Sequence, residues 1–336
     1  MVSRIGAVGL LALVLPLGAL PDAGAQEAVT SLADGRAGKI HFASQTPAGY
    51  FALARRESNP KVVVFGTLRL PPPSAGRVPA MVIAHGSAGV DQRESWWAET
   101  LTKLGLATFV VDSFTPRGVR QTATDQSQLS TAANVADALA ALRLLGTHPR
   151  IDPQRVGVIG FSKGGQVALY SALEPFRRAV IDDDARFAAH VALYPYCNDW
   201  YTAARVTGAP MLLLLGGRDD YTPAEACRGY AEWFKAAGGD TTVIVYPDAY
   251  HDFDDTSLRA RARDRQALRR PRGSGPVHRE DPQHRPGHHG LGGPILPRVP
   301  HPRGHRRGRR GGAAPRAGGR GRVPAARVRP LTGRAI

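Results

Sequence analysis

Apolar residues in this chain come in short bursts separated by patterned polar stretches. Val62–Leu70, Pro79–His85, Ala107–Val111, residues 156–159, Ala188–Leu193, Pro210–Leu215 and Thr241–Tyr246 are each a brief run rich in Val, Ile, Leu and Ala. That length and composition predict buried strands. Lys39–Ser44 adds an early strand. Residues 131–146 set Val135, Leu139, Leu142 and Leu145 on one face at helical spacing, predicting an amphipathic helix. Glu94–Leu104, residues 165–173 and Pro223–Ala237 read as further helices. Continuous apolar strands alternating with helices predict an α/β fold whose parallel sheet is covered on both faces. Residues 26–256 suffice for one such domain.

Both ends of the chain break this pattern. At the start, Arg4 precedes an apolar core from Ile5 to Leu20, and Ala23-Gly24-Ala25 follows as a small-x-small cleavage pattern. Residues 1–25 therefore read as a signal peptide, too short for a membrane span. The mature protein is expected to start near Gln26 and to be secreted or periplasmic. In an oxidising compartment the only two cysteines, Cys197 and Cys227, are expected to form a disulfide.

Charge changes the picture at the other end. The chain's formal net charge is +16, yet residues 1–256 hold 23 Lys and Arg against 25 Asp and Glu. All the excess lies in residues 257–336, with 21 Arg, three acids and no Phe, Trp or Tyr. This Arg/Gly/Pro-rich tail is expected to be largely disordered apart from a helix near 257–270. It reads either as out-of-frame sequence, as an inert tail, or as a basic arm that binds polyanions non-specifically.

The candidate chemistry begins at Gly160-Phe161-Ser162-Lys163-Gly164, a G-x-S-x-G pattern between a predicted strand and a predicted helix. In a nucleophile elbow the glycines let the turn close, and the serine hydroxyl stands at the sheet's carboxyl edge. A serine needs a base to take its proton, and on such a fold the order is serine, acid, histidine. His251 lies just past the last strand. His41, His148 and His190 sit in a strand or loop less suited to the task. Asp219 and Asp220 both follow an apolar strand; Asp219 is preferred as the acid, with Asp220 the alternative. Backbone N–H groups of Ser87, after the strand ending in His85, and of Lys163 would form the oxyanion hole.

Taken together, "AHGSAG", "VVDSFTPRGV", "RIDPQRVGVIGFSKGGQVAL", "GGRDDYTP" and "YPDAYHDFD" resemble the dienelactone hydrolase family of α/β-hydrolases over residues 60–253. The resemblance implies a mostly parallel sheet of about eight strands. It also implies a catalytic triad of Ser162, Asp219 and His251, and no metal or cofactor. Two departures stand out. The namesake enzymes use a cysteine where this chain has Ser162, which favours a general ester hydrolase. They also continue past the histidine into a terminal helix where this chain is arginine-rich.

Arg117 is a candidate for a substrate carboxylate or a structural ion pair. Trp96, Trp97, Tyr196 and Trp200 are candidates for a substrate wall or for core. The reading is an exported serine hydrolase that cleaves a small ester or lactone through an acyl-enzyme. The alternatives are a prolyl-oligopeptidase-like serine peptidase and a non-catalytic scaffold or polyanion-binding protein acting through its tail.

Overall fold

The computed structural model describes residues 27–199, 201 and 205–255. The predicted signal peptide and the arginine-rich tail lie outside the described residues, as does Trp200. Eight strands form one sheet in the order β1-β2-β4-β3-β5-β6-β7-β8. They are β1 (Gly38–Gln45), β2 (Lys61–Arg69), β3 (Val78–Ala84), β4 (Ala107–Asp112), β5 (Ile151–Phe161), β6 (His190–Leu193), β7 (Met211–Gly216) and β8 (Thr241–Tyr246). From β4 to β8 every neighbouring pair is parallel. β1 and β2 instead run antiparallel to each other, and β2 runs antiparallel to β4, so the sheet is mixed rather than wholly parallel.

The helices are α1 (Tyr50–Ala54), α2 (Gln92–Lys103), α3 (Thr131–Leu145), α4 (Lys163–Ser171), α5 (Glu174–Val180) and α6 (Ala224–Ala236). Local chemistry sets their starts. Asp91 and Glu94 form a reciprocal capping box on α2, and the Ser130 hydroxyl accepts from the Ala132 amide at the start of α3.

Helix α3 departs from its amphipathic reading. Twelve of its fifteen residues are buried, including Asn134 and Asp137, because it lies against the sheet while α1, α4 and α5 pack onto it. β5 also starts earlier than its apolar run. Its pairing with β3 shifts register between Val78 and Ala80, opposite Ile151 and Val156, and Asp152, Pro153, Gln154 and Arg155 occupy that irregularity.

The parallel core has one consequence for function. All of its strands end at the same sheet edge, so the segments after β3, β5, β7 and β8 converge there.

Candidate active site

Ser162 follows β5 directly and precedes the first residue of α4. Its backbone is held at φ 51°, ψ −108°, a region that a side-chain-bearing residue enters only when its surroundings enforce it. Those surroundings are glycines. A Cβ on Gly160 would come within 1.9 Å of the Gly164 carbonyl oxygen, and one on Gly164 within 2.0 Å of the Ala84 oxygen. The G-x-S-x-G pattern is thus a packing requirement, because β5, α4 and β3 touch backbone to backbone at the turn.

His251 follows β8, and its Nε2 stands 3.0 Å from Ser162 Oγ. Its Nδ1 is 2.8 Å from Asp219 Oδ2. An ionised carboxylate only accepts, so Nδ1 carries the proton and Nε2 is left to accept from the serine. The Asp219 side chain is fully buried. Its Oδ1 accepts from the Tyr221 and Thr222 amides at 3.0 and 2.8 Å, and Oδ2 also accepts from the Thr222 hydroxyl at 2.8 Å. Asp220 is exposed. Of the two candidate acids, Asp219 alone is hydrogen-bonded to the histidine.

The imidazole is confined from both sides. Tyr194 and Tyr221 meet it edge-on at 4.7 and 5.0 Å between ring centroids. Tyr194 in turn is held by Asp254, which takes its phenol hydrogen and that of the Trp97 indole. Arg93, on α2, pairs with Asp252 at 3.0 Å and Asp255 at 3.6 Å. The segment carrying His251 is therefore clamped to α2.

The loop after β3 lies against the nucleophile: a Cβ on Gly86 would sit 3.9 Å from Ser162 Cβ. His85 braces that loop. The Ser113 amide donates to its Nε2 at 3.2 Å, so its Nδ1–H donates to the Gly86 carbonyl at 2.8 Å. Burial lowers the His85 pKa and keeps the ring neutral. The Lys163 N–H belongs to the first turn of α4, where amides have no acceptor within the helix. Ser87 and Lys163 both border a cavity at Ser162.

Residues 65–270 match the sequence profile of the dienelactone hydrolase family, more than half the chain. The chain belongs to the dienelactone hydrolase family. As a member it is a hydrolase that acts on ester bonds. The family match continues past Asp255, the last described residue. A Methylorubrum extorquens protein named "Putative carboxymethylenebutenolidase" is 27% identical over 199 residues, 56% of this chain and 68% of that protein. A Yersinia pestis protein of the same name is 33% identical over 106 residues, 31% of this chain and 39% of that protein. The thermophilic esterase Est2 of Thermogutta terrifontis superposes with a TM-score of 0.48 at 19% identity, covering 61% of this chain and 86% of that one.

Two cavities meet at the nucleophile of this dienelactone hydrolase family member, sharing Ser87, Ser162 and Tyr221. One, of about 270 Å³, is bordered by Arg93, Glu94, His251 and Asp252. The other, of about 350 Å³, is bordered by Gln126, Thr131, Lys163, Gln166 and Tyr196. A larger cavity of about 630 Å³ lies at the opposite end of the strands, between Pro153, Phe187 and Pro210, and touches none of the triad candidates.

Burial perturbs two charged groups at the site. It pushes Glu94 up to about 7 and Lys163 down to about 8, because both would carry charge away from water. Lys163 Nζ donates to the Leu129 carbonyl at 2.8 Å and to Gln126 Oε1 at 3.1 Å, both neutral acceptors. No group of three or more His, Cys, Asp or Glu among the described residues could hold a metal ion. No helix among them is long and apolar enough to cross a membrane.

Three expectations need correction or refinement. Arg117 stands as a structural ion pair with Asp137. All five of its N–H donors are used inside the protein, on Thr46 Oγ1, the Ser113 and Gln45 carbonyls, and both Asp137 oxygens. Trp96 is 43% exposed on the outer side of α2 and borders neither cavity, being packed edge-on to Trp97. Trp97 packs on Phe161 and serves Asp254. Tyr196 does border the second cavity, and Cys197 and Cys227 are joined as a disulfide.

Sequence reasoning missed Thr222, Arg93, Tyr194 and Gln126. Thr222 carries a signal, since an Asp followed at the second and third positions by free amides is a common side-chain-closed turn. The Asp91-x-x-Glu94 box flags the start of α2. Tyr194 carries no signal of its own.

Proposed function

We propose that the protein is an exported serine hydrolase that cleaves a small carboxylic ester or lactone through an acyl-enzyme. The observation that supports it is the chain of contacts from Ser162 Oγ to His251 Nε2 at 3.0 Å and from His251 Nδ1 to Asp219 at 2.8 Å. Ser162 Oγ attacks the carbonyl carbon while His251 Nε2 takes its proton. Asp219 fixes the tautomer and stabilises the imidazolium. The carbonyl oxygen becomes an oxyanion, received by the Ser87 and Lys163 amides. His251 returns its proton to the leaving alcohol, and a water activated by the same nitrogen then releases the acid.

The leaving alcohol must reach Nε2, so the cavity bordered by His251 takes the alcohol portion and the cavity beside Lys163 and Tyr196 takes the acyl group. Their sizes, about 270 and 350 Å³, suit small substrates. Export rests on the N-terminal pattern and agrees with the disulfide. Mass spectrometry of protein from a secreting host should find the mature chain starting at Gln26.

The test of the chemistry is twofold. The purified protein should hydrolyse a short-chain aryl ester, and a fluorophosphonate should label Ser162. Turnover that survives Ser162→Ala would overturn the reading.

A further inference from the structure

The two amides assigned to the oxyanion come from distant parts of the chain, the loop after β3 and the first turn of α4. One side chain spans them. Gln126 opens a short 3-10 turn, Gln126–Gln128, capped by Asp125. Its Nε2 donates to Ser87 Oγ at 2.9 Å. Its Oε1 accepts from Lys163 Nζ at 3.1 Å and from the Thr122 hydroxyl at 3.2 Å. The amide orientation follows from chemistry: an ammonium only donates, so the atom facing Lys163 is the carbonyl oxygen, and the nitrogen faces Ser87.

Both ends of this link are anchored further. The Thr122 amide donates to the Ser87 carbonyl at 2.7 Å, tying the same loop to the same segment a second time. Lys163 Nζ is fixed by the Leu129 carbonyl at 2.8 Å. The carboxamide thus contacts the side chains of the two residues whose backbones would face the oxyanion, and it borders the acyl cavity itself.

We propose that Gln126 is a positioning residue for ester cleavage at Ser162, a strut that holds the loop of Ser87 in register with the first turn of α4. The inference rests on the ester-hydrolase reading and adds a residue to it. Oxyanion donors act only when aimed at the point where charge develops, and a displacement of about 1 Å costs on the order of 10²-fold in rate. Gln126 is exposed, and Thr122 supplies a second tie, so its loss degrades the alignment without abolishing it.

The experiment compares Gln126→Leu and Gln126→Glu in the full chain on a short-chain aryl ester. Leucine fills similar volume and makes none of the hydrogen bonds. Its kcat should fall about tenfold with KM within about twofold of wild type, because the aim of the donors matters only in the transition state. Glutamate still accepts from Lys163 and Thr122, and the Ser87 hydroxyl turns to donate to it. Its kcat should recover to within about threefold of wild type.

A second readout needs no turnover. Hydrogen exchange at the Thr122 amide should quicken about tenfold in Gln126→Leu as the Ser87 loop loosens. Wild-type kcat in Gln126→Leu, Gln126→Glu as slow as Gln126→Leu, or unchanged Thr122 exchange would each overturn the proposal. Absence of ester turnover in the wild type would instead strike the hydrolase reading, and the exchange rates would still decide the strut.

Discussion

Asp219 Oδ2 lies 2.8 Å from His251 Nδ1, and the carboxylate is also held by its own turn, through the amides of Tyr221 and Thr222 and the Thr222 hydroxyl. The acid is therefore fixed before the histidine arrives. Asp219→Asn offers an N–H where the imidazole needs an acceptor and favours the wrong tautomer. Its kcat should fall about 10³–10⁴-fold with little change in KM. Asp220→Asn, at an exposed neighbour, should keep wild-type kcat. Equal losses from the two substitutions in steady-state assays would refute the assignment.

The turn around Ser162 gives a prediction about folding. An alanine at Gly160 or Gly164 would place a methyl about 2 Å from backbone oxygen, and backbone at that junction has nowhere to retreat. Both variants should fail to give soluble protein. Gly86→Ala meets its nearest atom, the Phe161 carbonyl oxygen, at 3.4 Å, an ordinary contact, and should fold. Soluble yield and thermal melting of the three variants separate these outcomes.

Lys163 provides a stability signature in pH. Burial lowers its pKa to about 8 from an ordinary 10.5, so between those values the unfolded chain binds the proton that the folded chain has released. Stability from this group accordingly rises with pH from about 8 to about 10.5 and is at its lowest below 8. Lys163→Met removes the titration. Wild type should gain on the variant by about 1 kcal/mol per pH unit from pH 8 to 10, measured by urea unfolding at each pH. Parallel profiles would contradict it.

The strand segments and the three residues that meet at the elbow, Ser162, Asp219 and His251, are legible along the chain, for a physical reason. A buried parallel strand must be apolar throughout, and an elbow must have glycine where backbones collide, so Val156–Gly160 and Gly164 advertise their places. What stays hidden are partnerships between distant segments. Arg117 and Asp137 look like a loop cation and an exposed helix acid until α3 is seen to be buried almost all round. Gln126 lies in a polar stretch with no period to read. Helices α1 and α5 span five and seven residues, too few turns for a periodic signal.

The Arg117–Asp137 pair should matter for stability and leave catalysis alone. Their side chains are 6% and 0% exposed, so removing one charge strands the other away from water. Arg117→Met should cost about 3–5 kcal/mol in urea unfolding, while KM for a carboxylate-bearing ester stays at the wild-type value. A raised KM with unchanged stability would return Arg117 to the substrate.

The disulfide makes the last prediction, because of what it ties together. Cys197 follows β6 in the segment that carries Tyr194, edge-on to His251, and Tyr196, on the acyl cavity. Cys227 lies inside α6, buried with Tyr230 and Phe234. The bond thus fastens a wall of the site to a helix packed on β7 and β8, across a sequence separation of 30 residues. Closing a loop of that size in the unfolded chain corresponds to about 3–4 kcal/mol. The Cys197→Ser/Cys227→Ser double variant should lose about that much in urea unfolding, and wild type in excess dithiothreitol should show the same loss. A variant as stable as the oxidised wild type would mean that the fold holds this segment without the bond.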